Sequence, residues 1–267
     1  MLKPVTSDDH IALGDDDARP PRRLPSGAER DREIASSRKA LTAFQERLYA
    51  EGTRGLLVVL QGRSASGKDG IVRKLFTAFS PQGCTVTSFK APTGAELRHD
   101  YLWRIHAAVP SFGAIAVFNR SHYEDVIMPR VLGTVKGAAL ERRYEQINEF
   151  ERMLDENGVR VVKFMLHVSR ATQRERMQKR LANPDKRWKF DEHDLTERDR
   201  WDEYTEAYRA ALSRCSTPHA PWYVVPGDDK RARDLLVARV MVRVAKEMAP
   251  DFPDLHPSDL TKSGEIP

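Results

Sequence analysis

Two kinds of hydrophobic pattern alternate along this chain. Short apolar runs at 56–60, 113–118, 159–168 and 222–225 read as buried parallel strands, and 84–89 alternates as a further strand. Between them, apolar residues recur every three or four positions. This spacing predicts helices over 29–51 (Ile34, Leu41, Phe44, Leu48 and Tyr49, closed by Gly52), 69–79, 96–107 and 138–156. Further helices are predicted over 170–181, capped by Ser169 and stopped at Asn183-Pro184, and over 230–248. Asp194-Leu195-Thr196-Glu197 reads as a capping box opening another, through about Arg214. Strands alternating with helical segments along the chain predict an α/β architecture, a parallel five-stranded sheet flanked by helices. Residues 1–28 are rich in Asp, Arg, Pro and Gly and lack apolar periodicity, which predicts a mobile or loosely draped N-terminal arm. The expected organisation is one domain over 29–249, with a Pro-rich tail over 250–267.

The first apolar run ends in Gly62-Arg63-Ser64-Ala65-Ser66-Gly67-Lys68, and a helix follows. Strand, glycine loop and helix in that order read as a phosphate-binding loop. Gly62 and Gly67 let the backbone curl until the N–H groups of Ser64, Ala65, Ser66 and their neighbours face an anion. The following helix adds the positive end of its dipole, and Lys68 a mobile cation. A structural turn between strand and helix is the plain alternative. Asp69 stands where such loops most often carry a Mg²⁺-binding hydroxyl, so the metal ligand has to come from elsewhere.

Two further clusters carry candidate chemistry. The third strand ends at Asn119-Arg120, with Glu124 and Asp125 within the next turn. Arg120 is suited to gripping phosphate bidentately, and Glu124 to reaching back as metal ligand or orienter of the acceptor. The plain alternative is that both acids merely favour a helix N-terminus. The basic segment Arg170, Arg174, Arg176, Lys179, Arg180, Lys186, Arg187 and Lys189 follows a strand and ends near a proline break. It reads as a lid over about 170–200 that closes on phosphates, with Arg176 and Arg180 on one helical face. A solvated face with Glu175 and Lys179 paired accounts for some of these charges. Lys90 lies in the polar break at the carboxyl end of the second strand, the edge where such sheets bind ligands.

A formal charge of +5 in 267 residues favours polyanionic ligands. No apolar run is long enough to span a bilayer, the start lacks a signal-peptide core, and two distant cysteines form no disulfide framework. A cytoplasmic protein with buried, reduced thiols is expected. The basic residues lack interleaved exposed aromatics, which argues against nucleic acid.

Several motifs in order resemble the polyphosphate kinase 2 family. They are Gly62 to Gly70, Phe118-Asn119-Arg120-Ser121-His122-Tyr123-Glu124-Asp125-Val126, Trp188-Lys189-Phe190, Trp201-Asp202-Glu203-Tyr204, and Ser216-Thr217-Pro218-His219-Ala220-Pro221-Trp222-Tyr223. The resemblance implies a thymidylate-kinase-like P-loop fold with a helical lid, moving phosphoryl groups between inorganic polyphosphate and nucleotides with Mg²⁺ or Mn²⁺. It puts Lys68, Arg120, Arg176 and Arg180 on the phosphates, with Gly62, Ser64, Ala65, Ser66, Gly67, Asp69, Lys90 and Lys179 as further phosphate-binding candidates. The pairing of Asn119 with Glu124 is similar to the subgroup acting on nucleoside mono- and diphosphates (the AMP, ADP and GDP class). A homodimer or homotetramer is implied as well. The family's loop carries an acidic residue where this chain has Ser64, and Asn119 replaces a second carboxylate. Ser64, Asn119 and Glu124 are left as metal candidates, predicting weak Mg²⁺ affinity, an altered preference or low activity. The competing expectation is a polyphosphate- or nucleotide-binding protein with little turnover.

Overall fold

The structure, a computed structural model, describes residues 1–6, 10–190 and 193–254. Five strands, β1 (Gly55–Gln61), β2 (Cys84–Ser88), β3 (Ile115–Asn119), β4 (Val159–His167) and β5 (Trp222–Pro226), form one sheet in the order β2-β3-β1-β4-β5. Every pairing is parallel. All seven residues of β1 are buried, as a central strand covered on both faces must be. The register sets Leu60 opposite Asn119 and Gln61 opposite Met165, so the glycine loop leaves the sheet beside the end of β3. The order in which strands are added reverses about β1, and the crevice for a ligand opens at that carboxyl edge.

The helices are α1 (Gly27–Glu51), α2 (Lys68–Leu75), α3 (Trp103–His106), α4 (Glu124–Leu132) and α5 (Gly137–Glu156). After β4 come α6 (Arg170–Ala182), α7 (His193–Asp199), α8 (Trp201–Arg214) and, after β5, α9 (Lys230–Met248). On one face α1, α2 and α9 bury Leu41, Leu48, Ile71, Leu75, Val240 and Met241 against the sheet. On the other, α4, α5 and α8 bury Val126, Ile147, Tyr208 and Leu212. Each such aliphatic side chain contributes about 1.5–3 kcal/mol when removed from water.

Several expectations need correction. No helix runs over 96–107: a 3-10 turn at Glu96–Arg98 is followed only by the single turn of α3. The Asp100 carboxylate accepts from the Leu102 N–H at 2.9 Å, a local side-chain turn that competes with the helical ladder. The helix expected from Asp194 to Arg214 is two, because the chain leaves helical geometry at Arg200 (φ −100°, ψ 34°). Tyr49, read as part of the core face of α1, is 57% exposed, and Cys84 is only half-buried. The arm is fastened rather than loose. Val5 donates to the Trp222 carbonyl at 2.8 Å, Ile11, Leu13 and Ala18 are buried, and His167 Nε2 lies 2.8 Å from the Gly14 carbonyl. Most of the tail expected over 250–267 lies outside the described residues.

Candidate active site

The loop between β1 and α2 has the shape that its glycines allow. Gly62 has φ 140°, and a Cβ there would stand 2.6 Å from the Leu166 carbonyl oxygen. At Gly67 (φ 107°) a Cβ would stand 1.7 Å from Nη1 of Arg233. Lys68 folds back over this loop, its Nζ donating to the Gly62 carbonyl at 2.6 Å and the Arg63 carbonyl at 3.1 Å. Burial, with the neighbouring Arg120, pulls its ammonium down to about 8. Glu124, Glu197 and Asp69 oppose that shift, so all four charged groups share the field around Lys68.

Arg120 takes the left-handed backbone conformation (φ 63°), uncommon for a residue with a side chain and concentrated at functional sites. Its backbone N–H donates to the Leu60 carbonyl at 3.0 Å, and its guanidinium lies 2.8 Å from the Glu124 carboxylate. The Glu124 charge raises the Arg120 guanidinium above its ordinary range. Gln61 donates to the other Glu124 oxygen. Across the loop mouth Asp69 accepts from Asn119 Nδ2 at 2.9 Å and from Lys189 Nζ at 2.6 Å. Burial alone would raise the Asp69 carboxyl, but these two donors outweigh it and hold it below the usual range.

Beneath this turn lies a fully buried network. Lys163 Nζ bonds Glu151 Oε2 at 2.5 Å, Tyr123 Oη at 2.7 Å and the Cys215 carbonyl at 2.6 Å. Tyr123 donates to Glu151 Oε1 at 2.9 Å, and His122 Nε2 stands 3.2 Å from the same oxygen. The network anchors the two residues immediately before Glu124, and thereby the turn that carries Arg120.

The loop is also held from outside by arginines. Arg176 on α6 donates to the carbonyls of Ala65 (3.1 Å), Ser66 (3.2 Å), Gly227 (2.6 Å) and Asp228 (2.9 Å). Arg233 reaches the Ser66 carbonyl at 3.3 Å while its other nitrogens hold Asp234. Arg63 turns away from the loop and stacks 3.9 Å above the Trp201 ring, donating to the Trp201 carbonyl at 2.7 Å and Thr205 Oγ1 at 2.6 Å.

Glu197, on α7, lies over the loop, 4% exposed. Its Oε2 accepts from the Ser64 N–H at 3.3 Å, whereas Oε1 has no hydrogen-bond partner and lies 3.8 Å from Arg63 Nη1. Burial raises its carboxyl above the ordinary value, and Arg120, Arg63 and Lys68 offset only part of that. Ser66 Oγ is likewise buried without a partner. No cluster of three or more His, Cys, Asp or Glu suited to a metal occurs among the described residues. An unpartnered carboxylate oxygen and an unpartnered hydroxyl nevertheless fit Mg²⁺, which takes one or two protein oxygens and completes its shell with phosphate and water.

The structure thus brings Gly62, Ser64, Ala65, Ser66, Gly67, Lys68, Asp69, Asn119, Arg120 and Glu124 together at one sheet edge. Arg176 joins them through the loop carbonyls. Arg180 instead pairs with Asp194 at 3.3 Å and donates to the Lys189 carbonyl at 3.0 Å. Lys179 pairs with Glu175 on an exposed face, the pairing weighed as the plain alternative. Lys90 is exposed, and its carbonyl accepts from Arg104 at 2.8 Å. Sequence reading placed Lys189 in the basic lid segment and missed Gln61, Arg63, Glu197 and Arg233 as parts of the site; of these, Arg63 carried a signal, lying within the Gly62 to Gly70 motif.

The family model for polyphosphate kinase 2 matches residues 25–253. An AMP/ADP-polyphosphate phosphotransferase of Meiothermus ruber is 47% identical over 220 residues, 82% of each chain. An ADP-polyphosphate phosphotransferase of Rhodopseudomonas palustris is 39% identical over 230 residues, 82% of this chain and 80% of that one. The crystal structure of polyphosphate kinase 2 from Arthrobacter aurescens superposes with a TM-score of 0.88 at 39% identity, covering 95% of this chain and 92% of that one. Sheet order, loop geometry and these likenesses agree on a P-loop kinase-like fold, and the chain belongs to the polyphosphate kinase 2 family.

Proposed function

We propose that this chain is a polyphosphate-dependent nucleotide phosphotransferase, acting between inorganic polyphosphate and nucleoside mono- and diphosphates. The observation that carries the reading is the convergence of Lys68 and the Arg120–Glu124 pair at the loop mouth, in a chain so similar to AMP/ADP- and ADP-polyphosphate phosphotransferases. An oxygen of the nucleotide's terminal phosphate attacks the terminal phosphorus of the polyphosphate chain. The bond from that phosphorus to the next bridging oxygen breaks, and the shortened chain leaves with the electron pair. Little covalent work falls to the protein. It aligns two polyanions and cancels their repulsion.

The loop N–H groups and Lys68 hold the phosphate that moves, and Arg120 grips its neighbour. Glu124 keeps Arg120 aimed and, with Gln61, sets the orientation of the acceptor side. Arg176 keeps the loop curled by holding its carbonyls. Arg180, Lys179 and Lys90 are assigned to later contacts along the polyphosphate chain. A cavity of about 960 Å³ beside Glu96, Asp100, Arg104, Asp125, Arg142 and Arg143 mixes both charges, which suits a nucleoside better than a polyanion. Mg²⁺ or Mn²⁺ supplies charge neutralisation on the phosphates when bound. Glu197, Ser66, Ser64 and the Asn119 side-chain oxygen would hold it. The same reading takes the protein as a cytoplasmic homodimer or homotetramer.

The test is a panel of AMP, ADP, GMP and GDP with polyphosphate and either cation, following which products form. Transfer to a mono- and a diphosphate supports the reading. Absence of product with every nucleotide, polyphosphate still binding, would leave a binding protein without turnover.

A further inference from the structure

Around the loop mouth every oxygen of two carboxylates is already occupied. Asp69 uses one oxygen for Asn119 and the other for Lys189. Glu124 uses one for Gln61 and the other for Arg120. Glu197 differs. One oxygen anchors it to the Ser64 N–H, and the other, buried beside the loop, has no donor within hydrogen-bonding distance. Arg63 Nη1, itself without a hydrogen-bond partner, stands 3.8 Å away, beyond that range. Arg63 cannot swing closer cheaply, because its guanidinium is stacked on Trp201 and bonded to Trp201 and Thr205. A carboxylate oxygen buried without a partner costs several kcal/mol unless something compensates it. Ser66 Oγ, on the loop that Glu197 covers, is also buried without a partner. Two such oxygens, one of them charged, are hard ligands awaiting a hard cation.

We propose that Glu197 is the charged protein ligand for the divalent cation that travels with the phosphates, carried by the lid rather than by the loop. The proposal rests on the phosphotransfer reading only in taking a cation–phosphate pair as the ligand. Its consequence is that cation binding depends on α7 lying over the loop. That helix is held by Arg198, which donates to the Arg170 carbonyl at 2.8 Å and to Gln173 Oε1 at 3.0 Å, while Gln173 bonds the Ser64 carbonyl at 3.2 Å. A chain with α7 displaced has the loop and Lys68 but lacks the carboxylate.

The test uses the full chain, with Mn²⁺ as the probe read by electron paramagnetic resonance and inorganic tripolyphosphate as the anion. Glu197→Gln keeps the shape and the bond from Ser64 while removing the charge. It is expected to weaken Mn²⁺ binding in the presence of tripolyphosphate by about tenfold or more, on the scale of lost metal ligation. Metal-free tripolyphosphate binding should hold or tighten, since a negative charge has gone. Glu197→Asp, which shortens the arm but keeps the charge, should recover part of the loss, and Glu206→Gln on the exposed face of α8 should change nothing. Unchanged Mn²⁺ affinity in a folded Glu197→Gln protein would overturn the proposal. So would faster turnover at unchanged Mn²⁺ affinity, which would make Glu197 an anion competing with phosphate. Should Glu197→Gln fail to fold, Glu197→Asp and Glu197→Ala decide: Mn²⁺ affinity ordered wild type, Asp, Ala supports the proposal, and wild-type affinity in Glu197→Ala overturns it. A wild-type protein that binds Mn²⁺ with tripolyphosphate yet transfers to no nucleotide would sink the phosphotransfer reading and leave Glu197 assigned.

Discussion

Lys68 Nζ lies 2.6 Å from the carbonyl oxygen of Gly62, the residue that opens its own loop. The cation expected to meet phosphate is therefore sheathed by the backbone that presents it. Burial and Arg120 bring it down to about 8, below the ordinary lysine value of about 10.4. Below pH 8 Lys68 is charged both folded and unfolded, and folding carries the whole desolvation cost. As pH rises from 8 toward the ordinary value, the folded form sheds its proton first and stability rises. Phosphate binding reverses the preference, because an anion favours the charged form. Affinity for tripolyphosphate should fall about tenfold per pH unit above 8, with proton uptake measurable by calorimetry in buffers of different ionisation heat. Lys68→Arg should abolish that slope.

Arg176 and Arg180 share a helical face but differ in what they hold. Arg176→Met strips donors from four backbone carbonyls and should cost about 2–3 kcal/mol in urea unfolding, with turnover falling in parallel. Arg180→Met removes one partly exposed ion pair and one carbonyl contact, and should cost about 1 kcal/mol or less. Equal losses would mean that the four carbonyl contacts are incidental.

The Lys163–Glu151 pair gives a third prediction. Lys163→Met leaves a buried carboxylate uncompensated and should destabilise by about 3–5 kcal/mol. Adding Glu151→Leu should return most of that loss. Turnover should stay low in the double variant, because His122 and Tyr123 have lost the carboxylate that fixes the turn before Glu124.

Glu124→Gln retains a hydrogen-bonding shape beside Arg120 and Gln61 but removes its charge. Turnover should drop by about a hundredfold if this pair is aimed at the transition state. Tripolyphosphate affinity should rise, since Arg120 no longer faces a carboxylate. A turnover within a factor of two of wild type, measured on both AMP and ADP, would discount the pair.

What could be read from sequence was what local spacing encodes. The apolar runs announced the strands, and Gly62 and Gly67 at their fixed separation announced the loop, because curling the backbone there demands residues without a Cβ. The run of 96–107 misled because the Asp100 side chain intercepts the Leu102 N–H, a contest that periodicity does not register. Arg176 reads from sequence as a phosphate ligand, yet its bonds run to carbonyls, and nothing in a lysine-and-arginine pattern distinguishes an anion ligand from a backbone staple. Arg63 and Glu197 stayed hidden because their partners, Trp201 and Ser64, are more than a hundred residues away and meet them only when α7 and α8 settle beside the glycine loop.

The outside hold on the loop has a bearing on how the family can vary. With Ala65 and Ser66 gripped through their carbonyls by Arg176 and Arg233, the contour of the cradle between Gly62 and Gly67 is held through its backbone rather than through the side chains of residues 64–66. Position 64 is thereby released from any scaffolding duty, and an acid there can give way to serine without the pocket changing form. The chemistry at that corner is open to drift, while the mould that surrounds it stays cast.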